Sequence, residues 1–233
     1  MLNNLVIIPC RKKSKRIKNK NKIYLGKERL FEITIKNAKK LKIHKTIYLD
    51  SDDKYYSRFA KKYSINFNLR PKNLSNKKSK SEDVVLNLLK KLEKDQKYFD
   101  NVILLQTTSP FRQNFDIEKA YKIFIKKNLD SIVSVFSPTF KNKQIVFNNP
   151  RGELSNKYFL NNENKILIIN GAIYVTKVKF LKKYKKFFGS KQSLYYLMKQ
   201  SLSMDLDTNF DLYLTRKLFN NKNKLNKFDL LGN

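Results

Sequence analysis

The sequence predicts one α/β domain built on a mostly parallel sheet, and three observations lead there. Short apolar runs rich in β-branched residues recur along the chain, and helical patterns of roughly 10–15 residues separate them. A chain of 233 residues can bury one full core, with room for one modest excursion. Strands joined through helices imply βαβ units, and such sheets hold ligands at the carboxyl ends of their strands.

Leu5 to Pro9 is a continuous apolar run followed by a long basic stretch, so it reads as a buried strand that opens into a loop. From Glu28 to Leu41, the positions Leu30, Ile33, Thr34, Asn37, Ala38 and Leu41 recur at helical spacing and predict a helix. Residues 46–51 predict a strand, and 52–63 a helix capped by Ser51 or Asp52. The alternation continues with a short strand at 65–69, an amphipathic helix at 82–94, a buried strand at 101–107, a helix at 116–127 and a strand at 131–136. Regularity fails from Ser137 to Lys165, which reads as an excursion from the sheet, either a hairpin or a subunit-pairing arm, with 144–149 as an exposed strand. The strand at 167–176 is broken by Gly171, and 207–219 form the last helix. The Asn/Lys-rich end is expected to fray.

Lys and Arg number 51 against 19 Asp and Glu, a formal net charge of +32. Such an excess points to a polyanionic partner. It is spread over the whole chain, however, at positions such as Lys39, Lys61, Lys90, Lys126, Lys185 and Lys222, and neither a basic helix nor an RNA-binding aromatic motif accompanies it. A dedicated nucleic-acid site is therefore not expected. Cys10 and His44 are the only residues of their kinds, which excludes an internal disulfide and a Cys/His zinc site. Those counts fit a reducing, cytoplasmic setting. Apolar runs such as 5–8 and 102–105 are too short to span a membrane, and the first precedes the basic stretch, the reverse of a secretory signal.

Four segments could carry chemistry. After the first strand, Arg11, Lys12, Lys13, Ser14, Lys15, Arg16, Lys18 and Lys20 crowd one loop, where donors can wrap a triphosphate and take up the charge of departing pyrophosphate. A solvated basic loop would look the same, but its place after the first strand favours function. Asp205 and Asp207 stand two residues apart, so in an extended segment both carboxylates face one hard cation such as Mg²⁺ bridging a nucleotide's phosphates. Thr208 and Asp211 match a capping box, which accounts for Asp211 and leaves Asp205 unexplained. QTTSPFR (106–112) gathers Gln106, Thr107, Thr108, Ser109 and Arg112 at a strand end, and NGAIY (170–174) places Gly171 between Asn170 and an apolar run ending in Tyr174. Either could instead be a simple turn or strand.

In this order the four segments resemble the acylneuraminate cytidylyltransferase family, which includes the pseudaminic and legionaminic acid enzymes; the likeness runs from about Leu5 to Leu214. CRKKSKRIKNKN resembles the family's opening motif, usually written ARxGSKRxxxKN, and preserves Arg11, Ser14, Lys15, Arg16, Lys20 and Asn21. The resemblance implies a Rossmann-like nucleotidyltransferase domain over 1–233, of the nucleotide-diphospho-sugar transferase type, with a protruding dimerisation arm at about 137–165 and a homodimer as the assembly. It further implies transfer of CMP from CTP to the anomeric hydroxyl of an acidic nine-carbon, sialic-acid-like sugar, with Mg²⁺ as cofactor. On that likeness Arg11, Ser14, Lys15 and Lys20 hold the CTP phosphates, Asn21 places the nucleotide, and Arg70 and Ser81, in LRP and SKSED, meet the cytidine side. Gln106, Asn170 and Tyr174 meet the sugar, and Asp205 and Asp207 hold the metal; Arg11, Lys15, Lys20 and the two acids carry the chemistry.

Two positions depart from the family pattern. Lys13 stands where the family has glycine, and no Arg lies between Gly152 and Asn170, where the sialic acid enzymes carry one thought to hold the sugar carboxylate. Lys157 or Lys165 could stand in as a monodentate charge. Two other readings fit part of the pattern: a cytidylyltransferase for 3-deoxy-octulosonic acid, against which NGAIY and QTTSPFR argue, and a non-catalytic nucleotide binder.

Overall fold

The computed structural model describes residues 1–14, 16–76, 78–138 and 166–221, and the backbone of two short strands at 147–148 and 154–155. Seven strands form the main sheet: β1 (Asn4–Pro9), β4 (Lys45–Ser51), β5 (Asn66–Leu69), β6 (Asn101–Leu104), β7 (Ser131–Phe136), β10 (Ile168–Lys177) and β11 (Ser193–Leu197). Their order is β11-β7-β10-β6-β1-β4-β5. Four of the six pairings are parallel; β10 alone runs antiparallel, to both β6 and β7. The mostly parallel α/β sheet expected from the alternating pattern is thus present.

Six α-helices are described: α1 (Leu30–Lys40), α2 (Ser57–Lys62), α3 (Ser81–Lys94), α4 (Asn114–Lys126), α5 (Val178–Tyr184) and α6 (Asn209–Phe219). The continuous apolar run of β1 is explained by cover on both faces. Val6 and Ile8 join the cluster that holds Phe31 and Ile35 of α1 and Ile117, Ala120 and Phe124 of α4, whereas Leu5 and Ile7 join the cluster of Val84, Val85 and Leu88 from α3 and Leu181 from α5. Alternation along one strand therefore feeds two separate core layers. Within the first, Phe31 meets the edges of Tyr56 and Phe59 at centroid distances of 5.0 and 4.9 Å, the T-shaped geometry that aromatic quadrupoles favour.

Three local expectations change. Glu28 and Arg29 are not helical but pair as β3 with β2 (Tyr24–Leu25), so α1 begins at Leu30. The helix expected at 52–63 splits into a 3₁₀ turn (Lys54–Tyr56) and α2, and its cap is Asp53, whose carboxylate accepts from Tyr55 N at 3.0 Å. Ser51 instead donates to the Cys10 carbonyl at 2.6 Å, tying β4 to the end of β1. Strand β11 and helix α5 carry no clear sequence signal. β11 is an edge strand in which only Tyr196 is buried, and α5 is seven residues long, too short to display a period. Most of the 137–165 excursion lies outside the described residues; within it, β8 (Phe147–Asn148) pairs antiparallel with β9 (Leu154–Ser155). Lys157 and Lys165 also lie outside them, as does the Asn/Lys-rich end beyond Asn221. Among the described residues, no helix is long and apolar enough to cross a membrane.

Candidate active site

At the carboxyl ends of β1 and β6, where a parallel sheet presents its ligands, a cleft of about 450 Å³ opens. Pro9, Arg11, Lys13, Ser14, Arg16, Lys20 and Asn21 line one side; Arg70 and Ser79 to Ser81, with Val84, line another. Leu104, Gln106, Thr107 and Thr108 form the floor, and Asp205 and Asp207 close it. Of the predicted residues, Arg11, Ser14, Lys20, Asn21, Arg70, Ser81, Gln106, Asp205 and Asp207 are therefore brought together from positions nearly 200 residues apart in sequence, as the bond from Arg16 to Asp207 spans 191. Lys15 lies outside the described residues, and Asn170 and Tyr174 do not line the cleft.

The basic loop is held by polar ties and by one apolar anchor, Ile17, buried among Leu25, Leu30, Ile33 and Leu206. Asn21 Nδ2 donates to the Arg11 carbonyl at 3.0 Å, and its Oδ1 accepts from Thr107 Oγ1 at 2.6 Å, so one buried amide clamps the loop to the end of β6. Lys20 Nζ donates to the Leu206 carbonyl at 2.7 Å and to Asp207 Oδ1 at 2.8 Å; Arg16 Nη2 reaches Asp207 Oδ2 at 2.9 Å. Leu206 N in turn donates to the Thr108 carbonyl at 2.9 Å. Arg11, Lys13, Arg16, Lys20, Arg70 and Lys80 give the wall six cationic side chains against two carboxylates. The resulting excess suits a triphosphate, which carries roughly four negative charges at neutral pH.

Arg70 is aimed from below. Its guanidinium is buried against Asp50, at the end of β4, and Asn68 Nδ2 donates to the other carboxylate oxygen at 2.6 Å. Burial raises the Asp50 carboxyl above its ordinary value, by more than Arg70 and Asn68 lower it. Asp205 is also raised, and for a related reason. Although its side chain opens into the cleft, dense protein surrounds it and the Asp207 carboxylate lies nearby, while Thr108 and Lys20 pull the other way.

Lys13 takes an ordinary backbone conformation; among described non-glycine residues only Asn19, Ser64, Gln96, Asn128 and Lys185 have positive φ. It needs none of a glycine's freedom and adds a cation to the wall. Replacing Lys13 with alanine should raise the Kd for a nucleoside triphosphate several-fold, about 1 kcal/mol, and flatten its salt dependence. Calorimetric titration at two ionic strengths checks it, and unchanged affinity at low salt would remove Lys13 from the phosphate site.

Some residues in the cluster expected around Gln106 serve from behind. Arg112, 1% exposed, donates to the carbonyls of Gln106 (2.9 Å) and Ala172 (2.8 Å) and to Thr34 Oγ1 (3.3 Å). Its burial lowers its pKa to about 9, against the pull of Asp116. Gly171 has φ of +70°, and a Cβ there would stand 2.7 Å from Gln106 Oε1, so the glycine makes room for that carboxamide. Asn170 is 3% exposed and engaged entirely by protein groups. Tyr174 pairs with Leu104 and packs on Phe187; burial, then the carboxylates of Asp205 and Glu82, push its phenol up to about 12. Sequence reasoning did not single out Ser79 or Lys80 for the site, although SKSED was flagged; Lys80 precedes α3 without a side-chain cap, so the helix opens toward the cleft.

The chain is similar to known proteins to different degrees. A structure of a CMP:2-keto-3-deoxy-manno-octonic acid synthetase complexed with CTP superposes with a TM-score of 0.70, covering 94% of this chain and 99% of that one at 15% identity, a likeness of fold. N-acylneuraminate cytidylyltransferase of Escherichia coli O18:K1:H7 is 31% identical over 98% of this chain, which spans 55% of that protein's length. CMP-N,N'-diacetyllegionaminic acid synthase of Legionella pneumophila is 32% identical, with 92% of this chain and 95% of that protein covered. A family model described as Cytidylyltransferase matches residues 5–227, essentially the whole of the described fold, and the chain belongs to that family.

Proposed function

We propose that this protein transfers CMP from CTP to the anomeric hydroxyl of a nonulosonic, sialic-acid-like sugar and releases pyrophosphate. The observation that carries this reading is the cleft itself, which puts a basic loop, two acids and the Gln106, Thr107 and Thr108 side chains around one space, in a chain whose relatives are named for that class of compound. Arg11, Lys13, Ser14 and Lys20 orient the triphosphate and neutralise the charge that grows on the leaving pyrophosphate. Arg70, Asn21 and Ser81 seat the nucleoside end, and Gln106 faces the sugar.

Asp205 and Asp207 suit Mg²⁺. Asp205, raised by crowding and by a neighbouring carboxylate, is an acid whose charge a cation would relieve. Among the described residues no group of three or more acidic, His or Cys side chains stands together, so Asp205 and Asp207 would be the residues that hold the ion. Bound there, Mg²⁺ would polarise the attacked phosphate. Asp207 is held by Arg16 and Lys20, and nucleotide phosphates are the ligands able to draw those cations off it.

A homodimer and a cytoplasmic setting belong to the same reading. Exposed Ile168, Ile169 and Leu197 lie beside the 137–165 excursion in sequence or on the neighbouring strand, an apolar surface suited to a second copy. Light scattering should return twice the chain mass, and a monomer at micromolar concentration would count against it.

The deciding experiment incubates the protein with CTP, Mg²⁺ and a panel of acidic sugars, and identifies products by mass. A CMP adduct of a nonulosonic acid is expected. An adduct of 3-deoxy-octulosonic acid alone would reassign the sugar, and CTP binding without turnover of any acid would mark a non-catalytic binder.

A further inference from the structure

Asn170 invites a sugar contact by its place in NGAIY, yet its hydrogen-bonding capacity is already spent. A carboxamide has two N–H donors and two acceptor lone pairs. Oδ1 accepts from Ala172 N at 3.1 Å and from Ser134 Oγ at 2.6 Å. Nδ2 donates to Ser203 Oγ at 2.9 Å and to Met198 Sδ at 3.3 Å. All four are used within the protein, the residue is buried, and it does not line the cleft.

What those bonds connect is informative. Asn170 stands in the irregular part of β10, where the register with β7 shifts between Ile169 and Tyr174. Ser203, its partner, also donates to the Lys199 carbonyl at 2.8 Å, and it begins the segment, outside any helix or strand, that carries Asp205 and Asp207. Further along, that stretch is fastened by Leu206 N to the Thr108 carbonyl, by Lys20 to Leu206 and Asp207, by Asp207 N to Asp211 Oδ2 at 3.0 Å, and by Leu206 packed among Ile17, Leu25, Leu30 and Ile33. Those ties hold the far end of the segment. The Ser203 tie holds its start, and it uses no cleft residue.

We propose that Asn170 is a positioning residue: its carboxamide fixes the start of the Ser203–Asp207 segment against β10, and so sets where the two acids stand. Gly171, next to it, leaves space for Gln106, so one irregularity in β10 places both the acid segment and the floor of the cleft. The inference rests on the reading that Asp205 and Asp207 act in the reaction, but its structural half does not.

The test compares Asn170→Ala, Ser203→Ala and the double variant by amide hydrogen exchange over residues 203–208 and by steady-state kinetics. Both single variants should speed exchange in that segment. They should lower kcat roughly 10–100-fold, as an ångström of misplacement does, and leave the KM for the sugar within about twofold. The double variant should be no worse than Asn170→Ala, because both remove one tie. A rise in sugar KM in Asn170→Ala alone, with exchange over 203–208 unchanged, would overturn the proposal and return Asn170 to the sugar. So would additive losses in the double variant. If Asn170→Ala does not fold, Ser203→Ala still breaks the same tie, and normal exchange and kcat in that variant overturn the proposal. Should Asp205→Ala retain full turnover, the acids' role fails separately, while the exchange rates still decide whether Asn170 holds their segment.

Discussion

Replacing Asp205 with alanine is expected to lower Mg²⁺-dependent pyrophosphate release from CTP by about 10²–10³-fold, the scale of losing one preorganised electrostatic contact at developing charge. The protein should remain folded. Crowding and the Asp207 carboxylate already raise the Asp205 carboxyl above its ordinary value, so its removal relieves repulsion at the cost of a hydrogen bond with Thr108. The thermal midpoint should therefore stay within a few degrees of wild type. Asp205→Asn should lose activity to a similar extent, because it keeps the shape and discards the charge. Binding of CTP in the absence of divalent cation should be retained or slightly tightened, since a negative charge has left the phosphate end. Equal turnover by the alanine variant would remove Asp205 from the mechanism, whatever the fate of the sugar assignment.

Replacing Asp50 with alanine is expected to produce the largest loss of stability, about 3–5 kcal/mol by chemical denaturation. The Asp50 and Arg70 side chains are only 1% and 6% exposed. Burial costs Asp50 more than Arg70 returns to it, so the pair as a whole adds little to stability. Removing one partner is different. It strands a buried guanidinium, and it also deprives Asn68 of its acceptor. The Asp50→Ala/Arg70→Met double variant should recover much of the lost stability while binding CTP poorly, which separates the pair's structural part from Arg70's place in the cleft. If the double variant were as unstable as Asp50→Ala, the stranded-charge explanation would fail.

The strands at 4–9, 45–51 and 131–136 and the helices at 30–40 and 81–94 were legible because burial shapes the sequence; the helix at 209–219, with Thr215 as its one buried residue, was legible from its cap. The Thr208 and Asp211 capping box was legible for the same local reason, and both of its bonds are made. Elements with one buried residue, like β11, or one turn of context, like α5, imposed no such pattern. In the cleft, charged and polar side chains clustered after strands announced themselves by position, as Arg11, Lys20 and Gln106 did.

The α/β alternation, the basic loop after the first strand, the spacing of Asp205 and Asp207 and, through ordered motifs, the family can all be read along the chain. Which polar residues face the cleft and which hold it together emerges from the folded arrangement. Asn170 and Arg112 look like ligand contacts in sequence because a carboxamide or a guanidinium is equally able to bind a sugar or a backbone carbonyl. Their distant partners, Ser203, Ala172 and Thr34, lie 33, 60 and 78 residues away, and no local pattern encodes a bond across that distance. Burial settles the difference: Asn170 has spent all four of its hydrogen bonds on its neighbours, and Arg112, 1% exposed, is shut away from any substrate even though its Nε has no partner among the described residues.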